Sequence, residues 1–261
     1  MGRQNLTKAA MILFTLLTTG CSASAAFGET LTERLGRQQD FRPQPRSPVE
    51  QLVEVAQKFK IPMAIEWLER PEQDVEGAPA FRKGTVLDLL EAIVRRSPGH
   101  HVVLTDRVVY VHPPAVVGHR NNFLNLRIPH YRVVNESLLG AEYMLRHGIN
   151  ALLYPNLYKH GFGGGYGSAP DDPFWEENVT VSGDNLTIRE ILTRIAVANG
   201  NALWVAVLRP NEFEGGKPQW EGVSIDEYGH SPLNTRWRFI PLDEKRANAK
   251  HPPDRPQLGF H

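Results

Sequence analysis

The chain has 261 residues, 41% of them hydrophobic and 22% charged, with a single cysteine. That is the composition of a folded chain, long enough for one large domain or two small ones. Twenty-nine basic side chains balance 29 acidic ones, so no general positive field exists to hold nucleic acid. One cysteine excludes an intramolecular disulfide and any cysteine-rich metal or iron–sulfur site.

The first element is an address. Arg3 and Lys8 precede a short apolar run, and small residues follow, which is the layout of a secretory signal peptide over residues 1–25. The run is too short to span a bilayer, and no later segment comes close. Two processing readings stand. Ala23-Ser24-Ala25 suits cleavage after a small residue, whereas Thr18-Thr19-Gly20-Cys21 has the outline of a lipoprotein signal with Cys21 as the lipidated residue. Loss of residues 1–20 removes Arg3 and Lys8 and no acid, leaving a net charge of about −2. The expectation is an exported protein of a Gram-negative cell envelope, periplasmic or held at the outer membrane by lipid alone. Residues 26–44 read as a linker.

From residue 45 the pattern is a repeat. Ser47-Pro48-Val49-Glu50 has the form of a capping box with proline at the first helical position. Its helix carries Val49, Leu52, Val53, Ala56 and Phe59 on one side, and residues 62–66 follow as a strand. A strand around 78–81 leads to Thr85, which with Asp88 forms a second capping box. Val86, Leu89, Leu90, Ile93 and Val94 then line one helical face. Pro98-Gly99 ends that helix, and a hairpin of residues 101–104 and 108–112 closes the half.

The second half answers to the first. Thr187 and Glu190 stand 102 residues after Thr85 and Asp88, and Ile188, Ile191, Leu192, Ile195 and Ala196 repeat the apolar face at that same offset. Upstream, Asn135 is expected to cap a helix carrying Leu138, Leu139, Tyr143, Met144 and Leu145. Gly148 is expected to end it before a strand at 150–154. Residues 178–182 and 202–208 read as strands, and residues 235–241 supply the missing partner of the latter. Trp204 and Trp237 are expected in the core.

Residues 47–112, with VEQLVEVAQKFKIPMAIEW and then GTVLDLLEAIVRRSPGHHVVLTDRVVYV, resemble the secretin and TonB short N-terminal domain. NVTVSGDNLTIREILTRIAVANGNALW resembles it more loosely. The family's Ala-Leu in the second helix is here Leu89-Leu90, and its Thr-Gly-Leu before the hairpin is Ser97-Pro98-Gly99. The resemblance implies a periplasmic protein-interaction module without an active site or cofactor. The expected fold is α+β: two tandem βαββαβ-type domains, residues 45–114 and 122–242, each with two helices on a small mixed sheet. Insertions fall at 155–177 and 210–234, and residues 243–261 read as a disordered tail.

Candidate contact residues come from the insertions. Gly161, Gly163, Gly164, Gly165 and Gly167 are interleaved with aromatics. No Gly-Lys-Ser/Thr follows, so this is not a phosphate-binding loop. Tyr158, Phe162, Tyr166, Phe174 and Trp175, with Trp220 of the second insertion, are the expected partner-contact residues. The expected partner is an envelope protein, such as an outer-membrane secretion or TonB-type uptake component. One alternative is glycan or peptidoglycan stacking on Tyr158, Tyr166 and Trp175. Another is a hydrolase using Asp171, Asp172, Glu176 and Glu177. The histidines, including His100-His101, His130, His147 and His160, show no metal-ligand spacing, and no Gly-x-Ser-x-Gly elbow is present. The mass of the mature N-terminus separates the two processing readings: a lipidated Cys21 gives a diacylglyceryl adduct, and cleavage after Ala25 gives an unmodified chain starting at Ala26.

Overall fold

The computed structural model describes residues 29–70, 77, 79–158, 173–214 and 236–243. The chain is α+β. The first element among the described residues is helix α1 (Leu31–Gly36), in the stretch expected as a linker. Thr30 and Glu33 form a full capping box, with Thr30 N–H on Glu33 Oε2 at 2.7 Å, and the helix buries Leu35. The T-x-x-E signal was there to be read. A short strand β1 (Gln38–Gln39) follows.

Helix α2 (Pro48–Phe59) starts at the Ser47–Glu50 box and stops at Lys60 in the left-handed conformation, φ 54°. Strand β2 (Met63–Leu68) is buried along its whole length. The strand expected at 78–81 is shorter and later, as β3 (Gly84–Thr85), because Thr85 already caps helix α3 (Val86–Val94). Strands β4 (His101–Leu104) and β5 (Val109–His112) form the expected hairpin.

A connector with helix α4 (Pro114–Val117) and a 3-10 turn (Phe123–Asn125) leads to β6 (Arg127–Ser137). Next come α5 (Leu138–Leu153), α6 (Pro155–Tyr158), α7 (Pro173–Glu176), β7 (Asn178–Thr187), α8 (Ile188–Asn199), β8 (Ala202–Leu208), α9 (Asn211–Glu214) and β9 (Trp237–Pro241). Two expectations change here. Ser137 caps α5, and Asn135 lies instead at φ 52° beside a bulge in β6 between Val133 and Glu136. Residues 150–153 are helix, because the buried stripe Leu138, Ala141, Leu145, Ile149 runs on past Gly148, which sits inside the helix.

The repeat is present in the local geometry. β1 pairs antiparallel with β3, Gln38 opposite Thr85, and β6 pairs antiparallel with β7, Arg127 opposite Thr187. Val86 N–H donates to Arg37 O at 3.1 Å, and Ile188 N–H donates to Leu126 O at 3.0 Å. Each helix thus starts where its strand pair ends, and each start is fixed by a threonine box.

Beyond these two-stranded pairs, the halves share a sheet. One five-stranded sheet, in order β4-β5-β2-β8-β9, draws on both. β2 is parallel to β5 on one side and to β8 on the other. Met63, Ile65, Trp67, Val109 and Val111, with Leu203 and Val205 of the second half, pack under α2 and α3. Ala64, Leu68, Trp204, Ala206, Leu208, Trp237 and Phe239 pack on the other face, with α5, α8 and the β6–β7 ribbon. Trp204 is wholly buried. Each of the larger side chains among them contributes about 1.5–3 kcal/mol.

A buried ion pair crosses between the halves. Glu66 of β2 is 1% exposed and takes the Arg189 side chain of α8 by both carboxylate oxygens, Nη2 lying 3.0 Å from Oε2. Arg189 also donates to Asn125 Oδ1 at 2.6 Å and Val117 O at 3.2 Å. Asn125 Nδ2 donates to Val117 O at 2.8 Å and Asn122 Nδ2 to Val116 O at 3.1 Å, which folds the connector onto the pair. A two-pronged, shared contact of this kind fixes register. Glu66→Ala leaves the Arg189 charge in a largely buried site and should cost about 3–5 kcal/mol in urea unfolding. The double change Glu66→Leu with Arg189→Leu should cost clearly less, since it strands no charge.

Candidate functional site

The turn of the β4–β5 hairpin, Asp106-Arg107, is closed by Thr105 N–H on Val108 O at 3.1 Å. Thr105 Oγ1 accepts from Val108 N–H at 3.1 Å and donates to Val108 O at 2.8 Å. This rigid tip projects beside α8 and β7. Between them lies a groove of about 680 Å³, lined on the first-half side by Arg107 and Tyr110 and on the second-half side by Ser182, Thr193, Arg194 and Val197.

The floor joins the halves a second time. Tyr110 Oη donates to Thr193 Oγ1 at 2.9 Å, and Trp204 Nε1 donates to the same oxygen at 3.2 Å. Burial, outweighing the Thr193 bond, pushes the Tyr110 hydroxyl above its ordinary value of 10.0, so it remains a neutral donor. On the second-half wall, Arg194 Nη1 donates to Ser182 O at 2.9 Å. A Cβ at Gly183 would lie 2.6 Å from Leu186 Cδ1 and 2.9 Å from Arg194 Nη1, so glycine is what lets Arg194 lie along the wall.

The rim on the hairpin side is open. Val103 of β4 is 41% exposed, whereas Leu104 stands opposite Val109 and faces the other side of the sheet. β4 is an edge of the five-stranded sheet. Val103 stands opposite Tyr110, and cross-strand partners share a face, so Val103 extends the groove's apolar floor outward.

Several residues singled out in the sequence fall elsewhere. Phe174 is 1% exposed and belongs to the core, so it is not a surface contact. It is buried because α7 packs against α5. Its ring meets Trp175 at 5.1 Å, edge to face, and Trp175 is half-buried on the same core. Tyr158 closes α6. Cys21, Phe162, Tyr166, Trp220, Asp171 and Asp172 lie outside the described residues. Glu176 is exposed, and Glu177 accepts the Leu138 N–H through its main-chain oxygen at 3.0 Å.

His100 stacks on Trp67 with ring centroids 4.0 Å apart, and its Nε2 accepts from Leu68 N–H at 3.0 Å. His101 is exposed. His130 pairs with Asp184 at 2.7 Å on the surface. Among the described residues no three of His, Cys, Asp and Glu gather closely enough to hold a metal ion, and no helix is long and apolar enough to cross a membrane.

The groove residues were missed in the sequence because they meet only through the tertiary fold. Arg107 and Tyr110 lie more than 70 positions from Ser182, Thr193 and Arg194. No protein-family description matches the chain, and no curated protein or solved structure is significantly similar to it.

His112, at the end of β5, gives this interface a pH response. Burial holds its imidazole below the ordinary 6.5, although the Glu66 charge pulls the other way. The folded state therefore prefers the neutral ring. Stability from this residue is present above pH 6.5 and is lost as pH falls through the lowered folded value. In urea unfolding between pH 7.5 and pH 5, His112→Gln should flatten part of the wild-type decline.

Proposed function

We propose that this chain is a non-enzymatic, exported cell-envelope module that binds a partner protein in the groove between the β4–β5 hairpin and the β7–α8 wall. The observation that carries the reading is the open groove running beside an edge strand whose Val103 is exposed on the groove side. A partly apolar groove with a polar border is an ordinary form of docking site. The polar groups present are suited to holding rather than to chemistry. Tyr110 is engaged as a donor to Thr193. Asp106 is the acid among the described lining residues, and it sits on an exposed turn. No histidine or cysteine is among them.

The signal-peptide pattern supports placement in the envelope, and the resemblance to the secretin and TonB short N-terminal domain supports protein docking as the task. A component of an outer-membrane secretion or uptake assembly is the partner this implies. A photo-activated amino acid in place of Val103, in cells exporting the protein, should yield a discrete protein adduct. The same probe in place of Glu54, on α2, should not. Equal adducts from both positions, or an adduct at Val103 only to cell-wall glycan, would overturn the reading.

A further inference from the structure

Edge strands expose unpaired N–H and C=O groups, and folded proteins usually guard them. Six strands here have an edge that no described strand pairs with; β1 and β3 are only two residues long, and the other four are guarded unequally. On β9, Pro241 has no N–H, its carbonyl accepts from Gln57 Nε2 at 3.0 Å, and Leu242 O accepts from Lys60 Nζ at 2.6 Å. β6 carries Pro129 and a bulge. On β7, Arg194 lies against Ser182 and Gly183. β4, His101-Val102-Val103-Leu104, has no proline, glycine, lysine or bulge.

The register says which groups β4 presents. Thr105 and Val108 form a hydrogen-bonded pair. Alternation then makes Val103–Tyr110 and His101–His112 hydrogen-bonded pairs as well. Val109 N–H turns the opposite way, to Pro62 O at 2.9 Å, as that alternation requires. The main-chain groups of Val102 and Leu104 therefore point away from β5, to the open edge. A strand added there would lay alternate side chains on the Val103 side, over the groove. The charged lining residues on that side are Arg107 and Arg194 against Asp106, and both arginines are exposed.

We infer that the partner enters as an extended acidic segment that adds a strand to β4, with carboxylates reaching Arg107 and Arg194. This rests on the groove being the binding site. Main-chain pairing with Val102 and Leu104 supplies the docking geometry, and the arginines select charge.

The test uses the full mature chain and a short peptide alternating valine and glutamate, with glutamine and lysine versions. The glutamate peptide should bind best and the lysine peptide worst, by about threefold for each arginine engaged, with the difference shrinking in salt. Hydrogen exchange should slow at the Val102 and Leu104 amides on binding. Arg107→Glu, alone and with Arg194→Glu, should reverse the order of the three peptides. Binding without protection of Val102 and Leu104 overturns strand addition and leaves the groove reading standing. Equal binding of all three peptides overturns the acidic selectivity. No peptide binding while the Val103 probe still gives its protein adduct overturns this inference alone, and loss of both overturns the proposed function too.

Discussion

Strand β2 is hydrogen-bonded on both sides, to β5 of its own half and to β8 of the other. The rest of the structure depends on that placement. A parallel strand must be covered on both faces. The first half provides α2 and α3 for one face, and the second half provides α5 and α8 for the other. Neither half alone can close its core. Glu66, from the middle of the same strand, then reaches through to Arg189, and the connector folds down to satisfy what remains of the guanidinium. The ion pair makes the packing specific: sliding β2 against β8 would strand a charge in the core.

The groove follows from the imperfection of the repeat. In the first half a strand follows α2, and it pairs with β5. In the second half the corresponding stretch stays helical to Leu153. β2 of the first half pairs with β8 instead, which joins both halves in one sheet and puts the β4–β5 hairpin at its far end. There the hairpin tip overhangs α8 and β7, tied to them by the Tyr110–Thr193 hydrogen bond. The open rim and the guarded β9 edge are thus two ends of one arrangement.

Local elements were legible in the sequence wherever a cap and an apolar period coincided. Ser47–Glu50, Thr85–Asp88 and Thr187–Glu190 each mark a true helix start, and the stripes behind them are the buried faces. The pairing of residues 237–241 with β8 was readable too, since an unpartnered apolar strand needs a neighbour. Thr30–Glu33 carries the same signal, but a two-turn helix has little apolar period to reinforce it. Gly148 misled, because a glycine inside a well-packed helical stripe is tolerated. The shared sheet was not legible. A repeat in sequence is equally consistent with two separate cores or one common one, and only the parallel β2–β8 register decides between them. The groove inherits that difficulty, since its two walls belong to different halves. Phe174 shows the converse: an aromatic in an apparent loop suggests a surface contact, but α7 buries it in the core.

Native-state hydrogen exchange in low denaturant tests the common sheet most directly. Amides of β2, β5 and β8 should merge into a single opening with one free energy, equal to that of global unfolding. If the β2 and β5 amides open together at lower free energy while β8 and α8 stay protected, the halves are separate cooperative units and the account of one shared core is wrong.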